Sequence, residues 1–300
     1  MKKKLLFLGC NHSQIPYLEI LKNQNWYIVG VDLNPDSPGR VMCDSFHNVG
    51  YDNFSELINV GVKEGFTSDD KVFTASAQFA HVGAATFAQH FNIIYPTEES
   101  IKLCLDKAAY YEFFQQNDIP IPSTWYISSK AELRDLVLSM DSLKWYYLKS
   151  DFSKNPSYVY RFNASSVPYE KIFWGRDRYL REFYILQEEF LGASLRLNLY
   201  GDRFNVFDFN SGNKTAEHHD RLIALGVIKT LQSFVRKQGL GHWLIKFDVI
   251  LSHNEYAVLD IGMDPPSRML RICNEQNFSL PKFYIDQYLF DQITYPDILD

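Results

Sequence analysis

A chain of 300 residues is long enough for two or three subdomains around a common cleft, and 46% hydrophobic with 22% charged residues excludes a disordered polymer. The formal net charge of -6 excludes an overall basic field for nucleic acid or an anionic membrane surface. Four scattered cysteines, Cys10, Cys43, Cys104 and Cys273, form no CxxC pair, which argues against a zinc site or disulfide framework and for reduced, buried thiols.

Met1 to Lys4 has the basic start of a signal peptide, but the apolar run Leu5-Leu6-Phe7-Leu8-Gly9 is too short and Asn11-His12-Ser13-Gln14 interrupts it. The run predicts a first buried strand. No stretch is long and apolar enough to cross a bilayer, so a cytoplasmic location is expected. Ile15 to Leu21 has helical spacing, and Trp26 to Val31 is a second apolar run ending at Asp32. Strand, turn, helix and strand in this order predict a right-handed parallel β-α-β unit. Asp32 to Gly39 is a turn-rich loop at its carboxyl edge; Lys71 to Ala75, Ala77 to His90 and Ile93 to Pro96 read as strand, helix and closing segment. A dinucleotide fingerprint needs three glycines in the first turn. Gly9 to Gln14 carries one, which weighs against a nicotinamide-dependent oxidoreductase, and a solvated strand-end acid explains Asp32 as well as a ligand does.

Thr97-Glu98-Glu99-Ser100 is a helix-start signal, and the helical pattern runs through Phe114 until Pro120 and Pro122 exclude its continuation. Ala131 to Met140 is a short amphipathic helix. Trp145 to Lys149 and Tyr158 to Phe162 read as strands around the polar loop Ser150 to Ser157. Beyond Phe183, strands alternate with turns: Tyr184 to Leu191 before Gly192, Leu195 to Tyr200, and Phe204 to Phe209. Arg221 to Arg236 is helical, and Trp243 to Leu251 with Tyr256 to Ile261 form a hairpin. A parallel first third and an antiparallel remainder predict two architectures in one chain.

The hairpin carries the clearest chemistry. Side chains alternate along a strand, so Asp260 and Gly262 share a face, and pairing brings Asp248 onto it. Carboxylates facing one point repel unless a hard cation such as Mg²⁺ lies between them. Strand-end acids capping turns are the plainer reading of these aspartates alone, but Asp264-Pro265-Pro266-Ser267-Arg268 adds an acid and a guanidinium suited to phosphate. Lys149 closes an aromatic strand and must find an anion or reach solvent; Ser153, Lys154, Asn155 and Ser157 follow as donors. Gln187 to Gly192 offers backbone groups to a purine edge, although an ordinary strand and turn explain that piece by itself. His218-His219-Asp220 is a candidate substrate-side segment, with a solvated loop the simpler reading.

In their order these pieces resemble the ATP-grasp superfamily, in the branch related to the carbamoyl-phosphate synthetase large subunit and the carboxylate-amine ligases. The resemblance covers nearly the whole chain. Asp32 to Gly39 resembles the loop after that family's second strand, and Asp106-Lys107 with Asn117-Asp118-Ile119-Pro120-Ile121-Pro122 is similar to its entry into the ATP lobes. It implies an α/β plus α+β fold: a Rossmann-like pre-ATP-grasp domain over residues 1–95, a linker helix and first lobe over 96–186, and a second lobe with the metal site over 187–300. It implies ATP with Mg²⁺, or Mn²⁺, as cofactors. Lys107, Lys149 and Ser153 would meet phosphates, Glu188, Glu189 and Leu191 would form the adenine hinge, and Asp248, Asp260 and Asp264 would hold metal. Arg268 and Lys154 would act on the reacting groups.

The implied reaction is ADP-forming: phosphoryl transfer makes an acylphosphate from a carboxylate, and an amine, or a thiol, then displaces phosphate. Bicarbonate is an alternative acid. Partners would be small-molecule carboxylates and amines, without nucleic acid or membrane, and with homodimerisation left open. Three departures stand out: Asp151 to Ser157 lacks the usual glycines, Ser194 stands where an acid often follows the hinge, and Gly262 replaces the asparagine of the family's Glu-x-Asn. Asp264, two residues beyond, would have to reach back as a replacement for that neutral amide, and the site would then be more anionic and need both metals or nearby cations. The loss also permits a nucleotide-binding regulatory paralogue without turnover.

Overall fold

The computed structural model describes residues 2–76, 79–150, 159–174, 183–208, 218–241, 243–263 and 279–290. Within these residues the chain builds three four-stranded sheets.

The first sheet is parallel, with β1 (Lys4–Leu8), β2 (Tyr27–Val31), β3 (Ser45–His47) and β4 (Lys71–Thr74) in the order β3-β2-β1-β4. After Lys4, β1 is apolar because a parallel strand is covered on both faces. Leu5 and Phe7 pack on α1 (Ile15–Lys22), while Leu6 and Leu8 pack on α2 (Phe54–Glu64) and α3 (Ala80–Phe91). β3 and α2 are additions to the expected elements. A local signal for α2 exists in Asn53, whose side chain caps the helix by accepting the Glu56 N–H.

The helix expected from Thr97 through Phe114 is two helices, α4 (Glu98–Leu105) and α5 (Lys107–Gln116). Asp106 parts them: its backbone is extended, and its carboxylate caps α5 by accepting the Ala109 N–H at 3.1 Å. The second sheet is antiparallel, with β5 (Thr124–Ile127), β6 (Trp145–Ser150), β7 (Val159–Asn163) and β8 (Tyr184–Glu188) in the order β5-β8-β6-β7. α6 (Lys130–Val137) closes its apolar face through Leu133 against Tyr146, Leu148 and Leu186.

The third sheet is also antiparallel: β9 (Ala193–Tyr200), β10 (Arg203–Asp208), β11 (Ile245–Leu251) and β12 (Tyr256–Gly262), in the order β10-β9-β11-β12. Leu195, Leu197, Leu199, Phe247 and Val258 form its core face. The helical stretch before β11 is again divided, into α7 (His219–Ala224) and α8 (Val227–Lys237), at Gly226. α8 buries Val227, Ile228, Leu231, Phe234 and Val235, a helical stripe that seats on the core face beside α5. Its exposed side carries Lys229, Arg236 and Lys237.

Packing departs from a division into consecutive stretches. α9 (Leu280–Phe290) leaves the third sheet and returns to the first, where Leu280, Phe283 and Ile285 join the cluster of Leu5 and Phe7. It packs beside α1 and completes the cover on that face of the parallel sheet. β8 also continues to Glu188, so the change of sheet falls across Glu189 to Gly192.

Phe234 ties α8 to α5 and β11 through ring contacts with Phe113 and Phe114, both at 5.3 Å, and with Phe247 at 6.0 Å. Truncation there leaves a cavity among aromatic neighbours, and Phe234→Ala is expected to cost about 3–5 kcal/mol. Lys237→Ala on the exposed side should stay within about 0.5 kcal/mol. Urea unfolding of both variants checks the pair.

Candidate active site

The β11–β12 register sets Asp248 directly opposite Asp260, and the β9–β11 register sets Arg196 opposite Asp248. The three side chains therefore share the face of the sheet that points away from the core. The next pair in the ladder is Val249 with Val258, which leaves Leu259 as the extra residue of a β-bulge. A bulged residue has no strand partner for its backbone. Here the Leu259 carbonyl accepts the Tyr111 hydroxyl and has Lys149 Nζ within 3.5 Å.

α5 supplies the opposing wall. Lys107, Tyr110 and Tyr111 stand at i, i+3 and i+4, on one helical face. Lys107 Nζ donates to Asp260 Oδ1 at 3.1 Å, and the Tyr110 hydroxyl donates to the same oxygen at 2.8 Å. Lys149, from β6, donates to the Tyr111 hydroxyl at 2.8 Å, with Gln187 Oε1 of β8 3.3 Å from that hydroxyl. Four residues expected from the sequence, Lys107, Lys149, Asp248 and Asp260, thus come together across α5 and two sheets. Tyr110, Tyr111 and Arg196 complete the site and were not foreseen, and neither was the side-chain contact of Gln187, which the sequence offered only for its backbone. The tyrosines had a signal in their helical spacing with Lys107. Arg196 had one in being a charge between Leu195 and Leu197 on an alternating strand.

The charges are matched from within the protein. Arg196 grips Asp248 with both ends of its fork, Nε to Oδ1 at 2.7 Å and Nη2 to Oδ2 at 2.9 Å. Burial still raises the Asp248 carboxyl above its ordinary range, with Arg196 opposing the rise. Burial pushes the Lys149 ammonium down to about 7; the Lys107 charge adds to this, while Asp260 and Asp248 pull the other way. Burial, reinforced by the Asp260 charge, holds the Tyr110 hydroxyl well above its usual range, so it remains a proton donor.

A magnesium ion on Asp260, whose side chain is 33% exposed, would share that carboxylate with Lys107, Tyr110 and the Ile261 N–H, with phosphate and water as its further ligands. Asp248 fits one only if Arg196 lets go, and Gly262 brings no ligand atom from a side chain. Among the described residues no three His, Cys, Asp or Glu side chains converge as a metal cage.

At the strand exit, Glu188 pairs with Lys144 at 2.6 Å. Glu189 takes both ends of the Arg161 guanidinium at 2.9 Å, and Arg161 lies 4.0 Å over the Trp145 ring. The Glu188 N–H is donated to Ser123 O at 3.0 Å and the Glu189 N–H to Trp145 O at 2.8 Å. These side chains and N–H groups hold the second sheet together, which narrows what the two residues offer a purine to their carbonyls. Leu191 is 73% exposed. Gly192 is required by space, since a Cβ there would lie 2.4 Å from Leu251 O.

Ser153, Lys154, Asp264, Arg268 and the loop Asn210 to Lys214 lie outside the described residues. The His219 ring stacks on Phe204 at 4.7 Å, and Asp220 is exposed. In the first turn, Asp32 accepts the Cys10 N–H at 2.6 Å and the Asn34 N–H at 2.9 Å, a structural stitch between β1 and β2. Gln14 crosses the turn to donate to Ala75 O at 2.8 Å.

The Lys149 environment has a measurable consequence. The unfolded chain keeps the Lys149 proton up to the ordinary value of 10.5, the folded chain only up to about 7. Between the two the unfolded state binds more protons, so this residue makes stability rise with pH across that window. The urea midpoint of the wild type is expected to gain more between pH 7 and about pH 9 than that of Lys149→Met. Parallel profiles for the two proteins would show that Lys149 keeps its proton on folding.

No family model and no curated protein matches this sequence. Solved structures do match its fold. The biotin carboxylase domain of the 2-oxoglutarate carboxylase of Hydrogenobacter thermophilus, in complex with MgADP, ADP and bicarbonate, is 12% identical and aligns over 98% of this chain and 71% of its own, with a TM-score of 0.70. N5-carboxyaminoimidazole ribonucleotide synthetase from Thermotoga maritima is 14% identical over 96% of this chain and 76% of its own, at 0.68. An L-amino acid ligase from Bacillus licheniformis is 12% identical over 96% and 74%, at 0.66. At such identities the likeness is one of fold. With its mixed α/β architecture, the chain has the fold of the ATP-grasp enzymes.

Proposed function

We propose that this chain is an ATP-dependent, ADP-forming ligase that activates a carboxylate as an acylphosphate and delivers it to an amine or a thiol. One observation carries the reading: Lys107 of α5 donates to Asp260 of β12, while Lys149 of β6 reaches the carbonyl of the preceding residue, Leu259, and the Tyr111 hydroxyl. Cations from one side and carboxylates from the other are what a triphosphate with its metal requires. The fold neighbours support this, since one is crystallised with MgADP and another is an amino acid ligase.

In this reading residues 1–95 form the pre-ATP-grasp domain, and the second and third sheets are the two lobes. A carboxylate is a poor electrophile because its leaving group would be oxide, and phosphorylation supplies a better one. Phosphoryl transfer depends on position and charge neutralisation more than on covalent help. Lys107 and Lys149 face the phosphates, and Lys149, near neutrality in the free protein, takes up a proton as they arrive. Ser153 and Lys154 extend the phosphate contacts, the Glu188 to Leu191 backbone meets adenine, and Arg268 holds the acceptor carboxylate or the acylphosphate. Mg²⁺, or Mn²⁺, with Asp248, Asp260 and Asp264 as the residues that would hold it, would neutralise the phosphate oxygens.

A second reading, a nucleotide-binding regulatory protein without turnover, is favoured by Gly262 at the expected amide position and by the Arg196 hold on Asp248. Phosphate release with pooled carboxylic acids and amines separates the two. The ligase reading expects substrate-stimulated release from the wild type and a loss of about a hundredfold or more in Asp260→Asn. Equal release by both proteins would refute the role of Asp260. Tight ADP binding without release across the whole pool would favour the regulatory reading.

A further inference from the structure

Three cysteines lie among the described residues, and the fold treats them differently. Cys104 is buried in the core, where burial pushes its thiol up to about 12. Cys10 and Cys43, far apart in the chain, come together over β2. Gly30 shows how closely: a Cβ there would run into Cys43 Sγ and lie 3.1 Å from Cys10 Sγ. A residue without a side chain leaves the space in which the two sulfurs meet. Their backbones are also tied to each other. Gly39, in the short 3₁₀ helix Pro38–Met42, donates its N–H to Cys10 O at 2.8 Å, and its carbonyl accepts the Cys43 thiol at 3.5 Å. The pair is asymmetric. Cys10 is fully buried, whereas Cys43 is partly exposed. The Cys10 thiol donates to Cys43, which raises Cys10, with burial adding to the rise. The same bond holds the Cys43 thiol below its ordinary value, against the opposing effect of burial. A partly exposed sulfur that gives up its proton readily, backed by a second thiol, is the arrangement that oxidants attack and a neighbour resolves.

We propose that Cys43 and Cys10 form a redox modification site, in which a peroxide oxidises Cys43 and Cys10 then closes a reversible disulfide across Gly30. The Cys43 thiolate attacks one peroxide oxygen: an S–O bond forms, the O–O bond breaks, and the second oxygen takes up a proton and leaves as water. The Cys10 sulfur attacks the sulfenic sulfur so formed. The S–S bond is made, the S–O bond breaks, and the hydroxyl leaves as water with the Cys10 proton. Two thiols and one hydrogen peroxide give one disulfide and two waters, with two electrons passing from sulfur to oxygen. The bond clips the loop after β2 to the turn after β1, at the carboxyl edge of the parallel sheet. Nothing in this inference depends on the ATP-site reading.

Peptide mapping after oxidation tests it. The reduced full chain is treated with stoichiometric hydrogen peroxide, unfolded, and alkylated at its remaining thiols, and its unreduced tryptic peptides are read by mass spectrometry. A linked Cys10–Cys43 peptide pair is expected, two hydrogens lighter than the dithiol and separated again by dithiothreitol. Cys43 is expected to be consumed about tenfold or more faster than Cys104. In Cys10→Ser a sulfenic acid should persist on Cys43 and be captured by dimedone. In Cys43→Ser the oxidation of Cys10 should slow by about tenfold or more. Alkylation of both Cys10 and Cys43 in the treated wild type would overturn the proposal, as would a bridge from either one to Cys273 or to a second chain. Dimedone capture on Cys10 in Cys43→Ser, at the wild-type rate, would overturn the role given to Cys43. Should a serine variant fail to fold by circular dichroism, the wild-type peptide map and the Cys43-to-Cys104 rate ratio still decide.

Discussion

The bulge in β12 gives Leu259 a carbonyl without a strand partner and turns Asp260 toward the same slot, and the remainder of the site is arranged around these two groups. Tyr111 and Lys149 serve the carbonyl; Lys107 and Tyr110 serve the carboxylate. The contacts join three parts of the chain that share no local sequence. They also depend on register. A one-residue slip of β12 would turn Asp260 into the core and bring an apolar residue into the slot. Pairing of β12 with β11 is therefore a condition of this arrangement as well as of the fold.

Burial gives these charges their character. A lysine in water holds its proton far above neutrality, but Lys149 is enclosed beside Lys107 and is poised near it. Asp248 keeps its place through a two-pronged bond to Arg196, which offsets part of the cost of shielding both charges. Ion pairs of this sort specify an arrangement more than they add stability. What they specify is a site in which Lys107 and Lys149 stand beside Asp260, with Asp248 held by Arg196.

The same division of labour explains the strand exit from Glu188 to Gly192. The acidic side chains anchor the second sheet through Lys144 and Arg161, and their N–H groups extend its pairing. The passage to the third sheet runs so close to Leu251 that only glycine fits at position 192. A stretch that looks like a run of acids in the sequence works as a joint between two sheets.

Near neighbours in the chain made much of this legible beforehand. Alternation in β9, β11 and β12, the apolar run of β1 and the stripe of α8 are local patterns, and each became the element its period predicts. The hairpin joining Asp248 to Asp260 was readable because a short turn leaves little freedom in how its strands pair. The order of motifs pointed to the fold. Other features had no local cause. Arg196 finds Asp248 across 52 residues, Lys149 finds Tyr111 across 38, and Lys107 finds Asp260 across 153. α9 covers a sheet formed at the opposite end of the chain. A helical period or a cap is set by residues within one turn, so it is written in the sequence. Which of several charged side chains meet is set by how whole sheets and helices pack, and that is a property of the folded chain alone.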